Sequence, residues 1–369
     1  MKEVSYLIGL ATVAFATGGF LISNYSNKKA TVVDSGADIS ILSYFPSKIK
    51  DSAAITVKYD MIKERDLYVE RPELLKQISD IFDRKESNEQ YFIMYGAKGV
   101  GKSTIAERAA KGRKGVMMIR MTTASSRNDV MLELTEVLKV RELKPKTTDF
   151  ISALNKAKSS DGTLPTIIVE IEIENRLDKS SGIKAIRGVA KDLSAVCNFL
   201  IILSEANAVL EFGNDMDREK FIYVGELTEP EAREYISKLK MELSEKDIKH
   251  VMDNVGTNPA TIRSMEDCVC RGQSIQDFVV MKLTGAKMNL VAFPHKAILK
   301  ALKEHPEGVS PEYFNNMKNE GIDLSDPVAV GNAMKLSNAT MYRIEEQKYM
   351  IITRCHQTAL KTYKPTVAK

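Results

Sequence analysis

One short segment constrains this chain more than any other, because residues 96–103 read Gly96-Ala97-Lys98-Gly99-Val100-Gly101-Lys102-Ser103 and match G-x-x-x-x-G-K-[S/T] at every fixed position. Glycines here let the backbone curl so that its N–H groups point inward, at the positive end of the following helix. In this pattern Lys102 reaches the β- and γ-phosphates of a nucleotide, the Ser103 hydroxyl ligates magnesium, and Thr104 extends the polar helix start. We therefore predict that residues 96–104 bind ATP, or a related nucleoside triphosphate, with Mg²⁺.

Short apolar runs alternate with helical stretches on both sides of this loop. The alternation predicts crossover connections and a parallel sheet that helices cover on both faces. The predicted strands are Tyr91 to Tyr95, Val116 to Met121, Ile167 to Ile173, Phe199 to Leu203 and Phe221 to Val224. The predicted helices around them are Lys102 to Ala110, Val130 to Leu138 and Ile183 to Val196, with another beginning near Pro72.

The composition is typical of a folded chain. The sequence has 369 residues, of which 44% are hydrophobic and 28% charged, and this length allows roughly two or three domains. The net charge is +4 and the Lys and Arg residues are spread along the chain, so charge alone does not indicate a nucleic-acid partner. The four cysteines form neither a disulfide framework nor a zinc site, which is typical of a reducing compartment.

The third predicted strand carries the candidate catalytic acids. Its apolar run leads to Glu170, Ile171 and Glu172, whereas the usual Walker B strand ends in Asp, the magnesium ligand, followed by Glu, the residue that polarises water. Because alternate residues of a strand share a face, Glu170 and Glu172 point the same way and Ile171 points the other way. We predict that Glu170 ligates magnesium and that Glu172 is the candidate base. The alternative is a polar strand edge and slow or absent hydrolysis.

Two further residues are candidates for contact with the γ-phosphate. Ser204 ends the fourth strand, where a polar side chain can sense the γ-phosphate or orient water. The alternative is an ordinary polar residue at a strand end. Arg218, before the fifth strand, is a candidate arginine finger toward a neighbour's nucleotide, or else a surface arginine.

The pattern changes to helices after Leu227. Thr228-Glu229-Pro230-Glu231 is a helix start with a capping residue, and helices are predicted at Ala232 to Lys240, Glu245 to Asn254 and Ala260 to Cys270. From Phe293 onward the pattern predicts helices and then a hairpin, which together suggest a winged helix. Those helices are His295 to Glu304, Pro311 to Lys318 and Ala329 to Ser337, and the hairpin strands are Met341 to Ile344 and Tyr349 to Thr353.

The N-terminus has a different character. No charged residue occurs from Val4 to Asn27, a span long enough for a transmembrane helix of about 20 residues. A cleaved signal peptide ending near Ala14-Phe15-Ala16 and a buried soluble helix are the alternatives. Lys28 and Lys29 follow the span, so the positive-inside tendency predicts that the rest of the chain faces the cytosol. A mitochondrial membrane, with the chain facing the matrix or the cytosol, is the other possibility.

The order of these motifs resembles the AAA+-related STAND and archaeal-type ATPases. The resemblance rests on Arg71-Pro72-Glu73, the P-loop, the acid-ended and polar-ended strands, the motif at Leu227 to Ala232, and Gly256-Thr257-Asn258-Pro259-Ala260 with Arg263 beyond. It implies a P-loop sheet of the ASCE type, with the Ser204 strand between the P-loop and acidic strands. It also implies that the nucleotide lies against a helical lid containing Pro259, and that ATP drives switching or oligomerisation.

The expected organisation has five parts. These are a transmembrane anchor (1–29), a juxtamembrane linker (30–62), a P-loop ATPase core (63–227), a helical lid (228–288) and a winged-helix domain (289–369). The leading hypothesis is a membrane-anchored ATPase that acts as a nucleotide-dependent switch or assembly factor, with a protein partner or a second copy of itself. The alternatives are a DNA-binding ATPase, using Lys335, Arg343, Lys348 and Arg354, and a pseudo-ATPase scaffold.

Overall fold

The computed structural model describes residues 46, 48–50, 67–138, 147–158, 162–172, 180–212, 217–239, 241–315, 317–319, 321–334 and 339–364. The predicted membrane anchor at 1–29 lies outside these residues. Within the described ranges, no helix combines the length and the apolar character needed to cross a membrane. Ile49, in the predicted linker, is fully buried in the same cluster as the strands of the core.

A five-stranded parallel sheet forms the centre of the core, and its strands stand in the order β2-β3-β4-β1-β5. The sheet therefore confirms the expected position of the Ser204 strand, β4, between the P-loop strand and the acidic strand. The strands are β1 (Tyr91–Tyr95), β2 (Val116–Thr122), β3 (Thr166–Glu172), β4 (Asn198–Leu203) and β5 (Glu219–Tyr223). Because all five run in one direction, the loops that follow them meet at one edge.

Helices cover both faces of the sheet, which explains why its strands are almost continuously apolar. One face packs against α1 (Pro72–Phe82) and α2 (Lys102–Ala110), and the other against α3 (Arg127–Val137), α4 (Thr147–Lys156) and α5 (Ser180–Leu193). The side chains of Met118 and Ile168 face α1 and α2, so the next alternate residues of their strands, Arg120 and Glu170, lie on that face as well. The side chain of Glu170 and the P-loop helix α2 are thus on the same side of the sheet.

The lid is a cluster of four helices after β5. They are α6 (Glu229–Ser237), α7 (Glu245–Asn254), α8 (Pro259–Cys270) and α9 (Ile275–Ala292). The predicted helix start is confirmed, since Thr228 and Glu231 form a capping box. Helix α9 belongs to two cores: Phe278 and Val279 pack in the lid, whereas Leu290 packs in the next unit. The predicted boundary at residue 288 falls inside this one continuous helix.

The C-terminal unit (293–364) combines helices with an antiparallel hairpin, β8 (Thr340–Arg343) and β9 (Lys348–Ile351). Its other elements are α10 (Lys296–Glu304), a 3-10 helix (Pro311–Phe314), β6 (Lys318–Asn319), β7 (Ile322–Asp323), α11 (Pro327–Met334) and α12 (Arg354–Thr362). The helix expected at Pro311 is only four residues long, because Asn315 leaves the helical conformation and the following residues pair with β7. Helix α12, which is absent from the elements predicted above, is capped by the Thr353 side chain.

A buried ion pair lies at the amino-terminal edge of the sheet. The Glu219 carboxylate, whose side chain is 0% exposed, accepts a hydrogen bond from the Tyr91 hydroxyl (2.6 Å) and pairs with Arg187 Nε (2.6 Å). This pair links β1 and β5 to α5 on the face opposite the P-loop helix. Removing one partner of a buried pair leaves the other charge without compensation.

We expect Glu219→Ala to lower the free energy of unfolding by about 3–5 kcal/mol, because the Arg187 charge and the Tyr91 hydroxyl lose their buried acceptor. Urea denaturation followed by circular dichroism measures this change. Glu89→Ala is the matched control, since Glu89 also pairs with an arginine, Arg218 at 2.7 Å, but its side chain is 55% exposed. The control substitution should lower the free energy of unfolding by less than about 1 kcal/mol. Equal losses for the two variants would contradict the role assigned to Glu219.

Candidate functional site

The loop after β1 has a conformation that only glycine can adopt at its key positions. Gly96 and Gly99 have φ values of 148° and 85°, in the left-handed region. A Cβ atom at Gly96 would lie 2.1 Å from the Val224 carbonyl oxygen, and one at Gly99 would lie 2.6 Å from Ala260 Cβ. Both contacts are too short for any side chain. The glycines of the motif therefore allow the backbone to curl and also allow β5 and the lid to approach it closely.

Lys102 lies inside this curled loop. Its side chain is buried, with 5% of the residue exposed, and Nζ donates hydrogen bonds to the carbonyl oxygens of Gly96 (3.0 Å) and Ala97 (2.8 Å). Burial lowers the pKa of Lys102 to about 8, against the opposing effect of the Glu170 and Glu205 carboxylates. The ammonium group is thus held at the inner surface of the loop, where the motif places a phosphate-binding charge.

The acidic strand brings Glu170 to the first turn of α2. The Ser103 hydroxyl donates a hydrogen bond to Glu170 Oε1, and Arg120 Nε donates one to Oε2 at 2.9 Å. Ile171 is fully buried on the other face of the sheet, whereas Glu172 is exposed on the same face as Glu170. The structure therefore brings the two predicted magnesium ligands together across the intervening strand β4.

These residues fit a nucleotide with magnesium. A serine hydroxyl and a carboxylate are oxygen ligands of the kind that Mg²⁺ prefers. The left-handed glycines curl the backbone beside the N-terminus of α2, and a side chain at Gly96 would collide with β5. The oxygen ligands for Mg²⁺ and the loop that would hold the phosphates are therefore consistent with one nucleotide site. The binding of nucleotide and the binding of Mg²⁺ both remain predictions.

Ser204 and Arg218 lie at opposite edges of the sheet. Ser204 is half-buried at the carboxyl end of β4, where its backbone N–H donates to the Ile171 carbonyl at 3.2 Å. It shares the edge of Lys102 and Glu170, as the sequence predicts for a γ-phosphate sensor. Arg218 precedes β5 at the amino-terminal edge and pairs with Glu89. It is therefore distant from the P-loop of its own chain, and action on a neighbour's nucleotide stays a prediction.

The lid touches the P-loop through Asn258, the residue before Pro259. Asn258 Nδ2 donates to the Lys98 carbonyl at 2.9 Å, and Oδ1 accepts the backbone N–H groups of Ala260 and Thr261 at the start of α8. The residue is buried, with 4% exposed. A single side chain thus caps a lid helix and binds the loop, which positions the half-buried Pro259 beside the candidate site.

Arg71 fixes the other connection between core and lid. Its guanidinium donates to the carbonyl oxygens of Gly225 (3.2 Å) and Glu226 (3.3 Å) and lies 3.7 Å from the Glu231 carboxylate. Burial lowers the pKa of Arg71, and Glu231 opposes this effect. The motif Arg71-Pro72-Glu73 therefore secures the segment that leads from β5 into the first lid helix.

The β8–β9 hairpin packs on the same edge of the sheet as the P-loop. The Tyr95 hydroxyl donates to Glu345 in the hairpin turn, and the Arg343 guanidinium lies 4.2 Å from the centre of the Tyr223 ring. Arg343 also pairs with Glu346 at 2.5 Å. Since Tyr95 directly precedes Gly96, the hairpin contacts the residue from which the P-loop begins.

Three residues of this site have no role in the prediction from sequence: Arg120, Glu205 and Asn258. Arg120 was visible as the one charged residue in an apolar strand, but its partner depends on the register between β2 and β3. Asn258 precedes a proline at a helix start, which is a capping signal, yet its contact with Lys98 depends on how the lid packs. Tertiary packing, not local pattern, brings Arg120 to Glu170 and Asn258 to the P-loop.

Comparison with known proteins finds likeness in structure. A Walker-type ATPase of Pyrococcus abyssi superposes with a TM-score of 0.53 and 14% identity, over 80% of this chain and 97% of that one. A STAND protein with a tetratricopeptide-repeat sensor from Pyrococcus horikoshii superposes with a TM-score of 0.38 and 13% identity. That match covers 86% of this chain and 44% of the STAND protein. The Aeropyrum pernix ORC1 protein in complex with DNA superposes with a TM-score of 0.39 and 12% identity. That match covers 80% of this chain and 93% of the ORC1 chain.

This chain has the fold of a Walker-type P-loop ATPase. That likeness spans 80% of the chain, and it confirms at the level of fold the P-loop ATPase architecture expected from the order of the motifs. No protein-family model matches the sequence, and no curated protein matches it either.

We expect Asn258→Ala to loosen the P-loop as well as the lid, because the substitution removes the helix cap and the hydrogen bond to Lys98. Amide hydrogen exchange should accelerate in peptides covering both the start of α8 and residues 96–103. Loss of the cap alone costs about 0.5–2 kcal/mol. The control is Ser274→Ala, which removes a cap from α9 that bonds only to Asp277. If Asn258→Ala changes exchange only in α8, the lid contact does not hold the loop.

Proposed function

We propose that this chain is a membrane-anchored, ATP-binding P-loop ATPase that acts as a nucleotide-dependent switch or assembly factor. The observation that carries the proposal is the contact between Ser103 and Glu170. It joins the predicted magnesium ligands at the first turn of the P-loop helix. With Lys102 buried in the loop, one edge of the sheet offers both a cation for phosphates and oxygen ligands for a metal.

Nucleotide binding requires Lys102 to exchange partners. Its ammonium group now donates to two carbonyl oxygens of its own loop, and phosphate oxygens would replace them as stronger, charged acceptors. The Ser103 oxygen would ligate the metal through a lone pair, and its O–H proton would stay available to donate to Glu170. Magnesium at Ser103 and Glu170 would neutralise the charge that develops on the phosphates.

Hydrolysis depends on a different residue from the usual one. The position after Glu170 is the buried Ile171, so that position has no carboxylate to polarise water. Glu172 is exposed on the face of Glu170 and is our candidate base, and Ser204 shares the same edge of the sheet. If Glu172 does not act, the chain binds nucleotide and hydrolyses it slowly or not at all, as in a pseudo-ATPase scaffold.

The contacts around the loop support a switch. Asn258 ties the P-loop to the lid, and Tyr95 ties the start of the loop to the C-terminal unit through Glu345. A change of loop conformation on nucleotide binding would therefore alter two contacts with other parts of the chain. The surface changed in this way would meet a protein partner or a second copy of the chain.

The membrane anchor in the proposal rests on the sequence. The uncharged span at Val4 to Asn27 is long enough for a transmembrane helix, and Lys28 and Lys29 favour a cytosolic ATPase. A mitochondrial membrane remains the alternative location.

DNA binding is the less favoured function. Of the cations that could contact phosphates, Arg343 stacks on Tyr223 and pairs with Glu346, and Arg354 Nε donates to the Asp253 carbonyl at 3.4 Å. Lys335 lies outside the described residues. A titration with duplex DNA at several salt concentrations tests this function, because binding through phosphate contacts weakens steeply as salt rises.

We expect Lys102→Ala to weaken ATP binding by roughly 10- to 100-fold, because charge-assisted hydrogen bonds contribute about 1.5–3 kcal/mol. Equilibrium binding of a fluorescent ATP analogue to the full-length chain measures the loss. Lys111→Ala is the control, since Lys111 is exposed just beyond the far end of the same helix. Wild-type affinity in Lys102→Ala would refute the proposed site.

We also expect Glu170→Gln and Glu172→Gln to lower ATP turnover for different reasons. Glu170→Gln should raise the magnesium concentration needed for binding. Glu172→Gln should retain binding and slow turnover by roughly 10²–10⁴-fold, the usual contribution of a general base. Phosphate release measures turnover. If both variants match wild type in turnover, the acids are assigned wrongly, and nucleotide binding is judged separately from Lys102→Ala.

The buried lysine predicts a pH dependence of binding. Lys102 is charged below a pKa of about 8 in the free protein, and bound phosphates would keep it charged at higher pH. Affinity should therefore be highest below this pKa and fall as the pH rises through it, by roughly eightfold between pH 7.5 and 9 for a single titrating group. Lys102→Arg stays charged throughout and should show no such fall. A flat profile in the wild type would contradict the buried-lysine account.

A further inference from the structure

Arg120 is an unusual residue for its position. Strand β2 is buried at its first four residues and again at Met121, and Arg120 is the exposed exception between them. In the sheet Arg120 stands directly opposite Glu170 on β3, on the face that carries the P-loop helix. Its guanidinium is therefore placed beside the carboxylate that we assign to magnesium.

The Glu170 carboxylate has both oxygens engaged. Oε1 accepts a hydrogen bond from Ser103, and Oε2 pairs with Arg120 Nε at 2.9 Å. A divalent cation needs lone pairs from the same carboxylate and the same hydroxyl oxygen. The cation and the guanidinium are both positive and would share one carboxylate, so each weakens the other's binding.

A third charged group reinforces this competition. Glu107 lies one turn after Ser103 on α2, and it interacts electrostatically with both Glu170 and Arg120. Burial and the nearby Glu170 raise the pKa of Glu107, and Arg120 opposes the rise. Without the arginine, Glu170 and Glu107 would lack this positive charge, and they would attract a divalent cation more strongly.

The ion pair between Arg120 and Glu170 contributes little to the stability of the fold. The Arg120 and Glu170 side chains are 37% and 18% exposed, and a partly exposed ion pair contributes about 0–1 kcal/mol. The larger effect of the guanidinium is on the charge at the metal site.

We propose that Arg120 is a counter-ion of Glu170 that competes with magnesium for this carboxylate. It thereby sets the magnesium concentration at which the site binds its metal. The inference rests on the proposed nucleotide site. In the nucleotide-free protein Arg120 neutralises Glu170, which makes metal binding depend on the additional ligands that nucleotide phosphates provide.

The test measures binding of a fluorescent ATP analogue to the full-length chain as free Mg²⁺ is varied. We expect Arg120→Gln to reduce the Mg²⁺ concentration for half-maximal effect by about tenfold, because a nearby like charge is removed. Arg120→Lys keeps the charge and should stay within about threefold of wild type. Arg127→Gln is the matched control, because Arg127 forms a surface ion pair with Asp192 away from the P-loop. Arg120→Met provides a second uncharged variant if Arg120→Gln folds poorly, which thermal unfolding detects.

The outcomes separate the two proposals. If wild type binds nucleotide through Lys102 but Arg120→Gln and Arg120→Met have an unchanged or higher magnesium requirement, the role of Arg120 is refuted and the nucleotide site stands. If Arg120→Lys shifts as far as Arg120→Gln, shape and not charge is responsible, and the counter-ion role is again refuted. If wild type binds no nucleotide at any magnesium concentration, both proposals fail together.

Discussion

The side chain of Lys102 is almost completely buried. Because a buried charge is costly, the fold has to compensate the charge of its ammonium group. Two carbonyl oxygens of its own loop accept its hydrogen bonds, and the carboxylates of Glu170 and Glu205 stabilise the charged form. Those carbonyls can point inward only because the loop has left-handed glycines. The loop, the acidic strand β3 and the end of β4 are therefore organised around one charge, and the strand order of the sheet makes their convergence possible.

The same loop is also where three parts of the chain meet. Asn258 brings the lid to Lys98, and Glu345 brings the C-terminal unit to Tyr95. Helix α9 passes from the core of the lid into the core of the C-terminal unit, so these two parts are joined by a continuous helix of 18 residues. A further junction lies at Glu226, whose half-buried carboxylate accepts the backbone N–H of Thr257 in the lid.

The sequence was sufficient where local pattern determines structure. The P-loop, the five strands and the capped helix at Thr228 were predicted within a few residues, because buried parallel strands are apolar runs and helix starts carry capping residues. Helix α9 was missed because its apolar residues lie on all sides and give no helical period. Arg120 was missed because its role depends on strand register, which a one-residue shift would reverse.

The contacts of the hairpin bear on both proposed functions, the switch and the binding of DNA. A hairpin that reads DNA needs cations directed toward solvent, but Arg343 is stacked on Tyr223 and paired with Glu346. The turn residue Glu345 brings a negative charge to the edge of the core, where it accepts from Tyr95. These contacts join the hairpin to the core at Tyr223 on β5 and at Tyr95, the residue before Gly96. If nucleotide changes the conformation of the P-loop, the contact at Tyr95 would carry that change to the C-terminal unit, as the proposed switch requires.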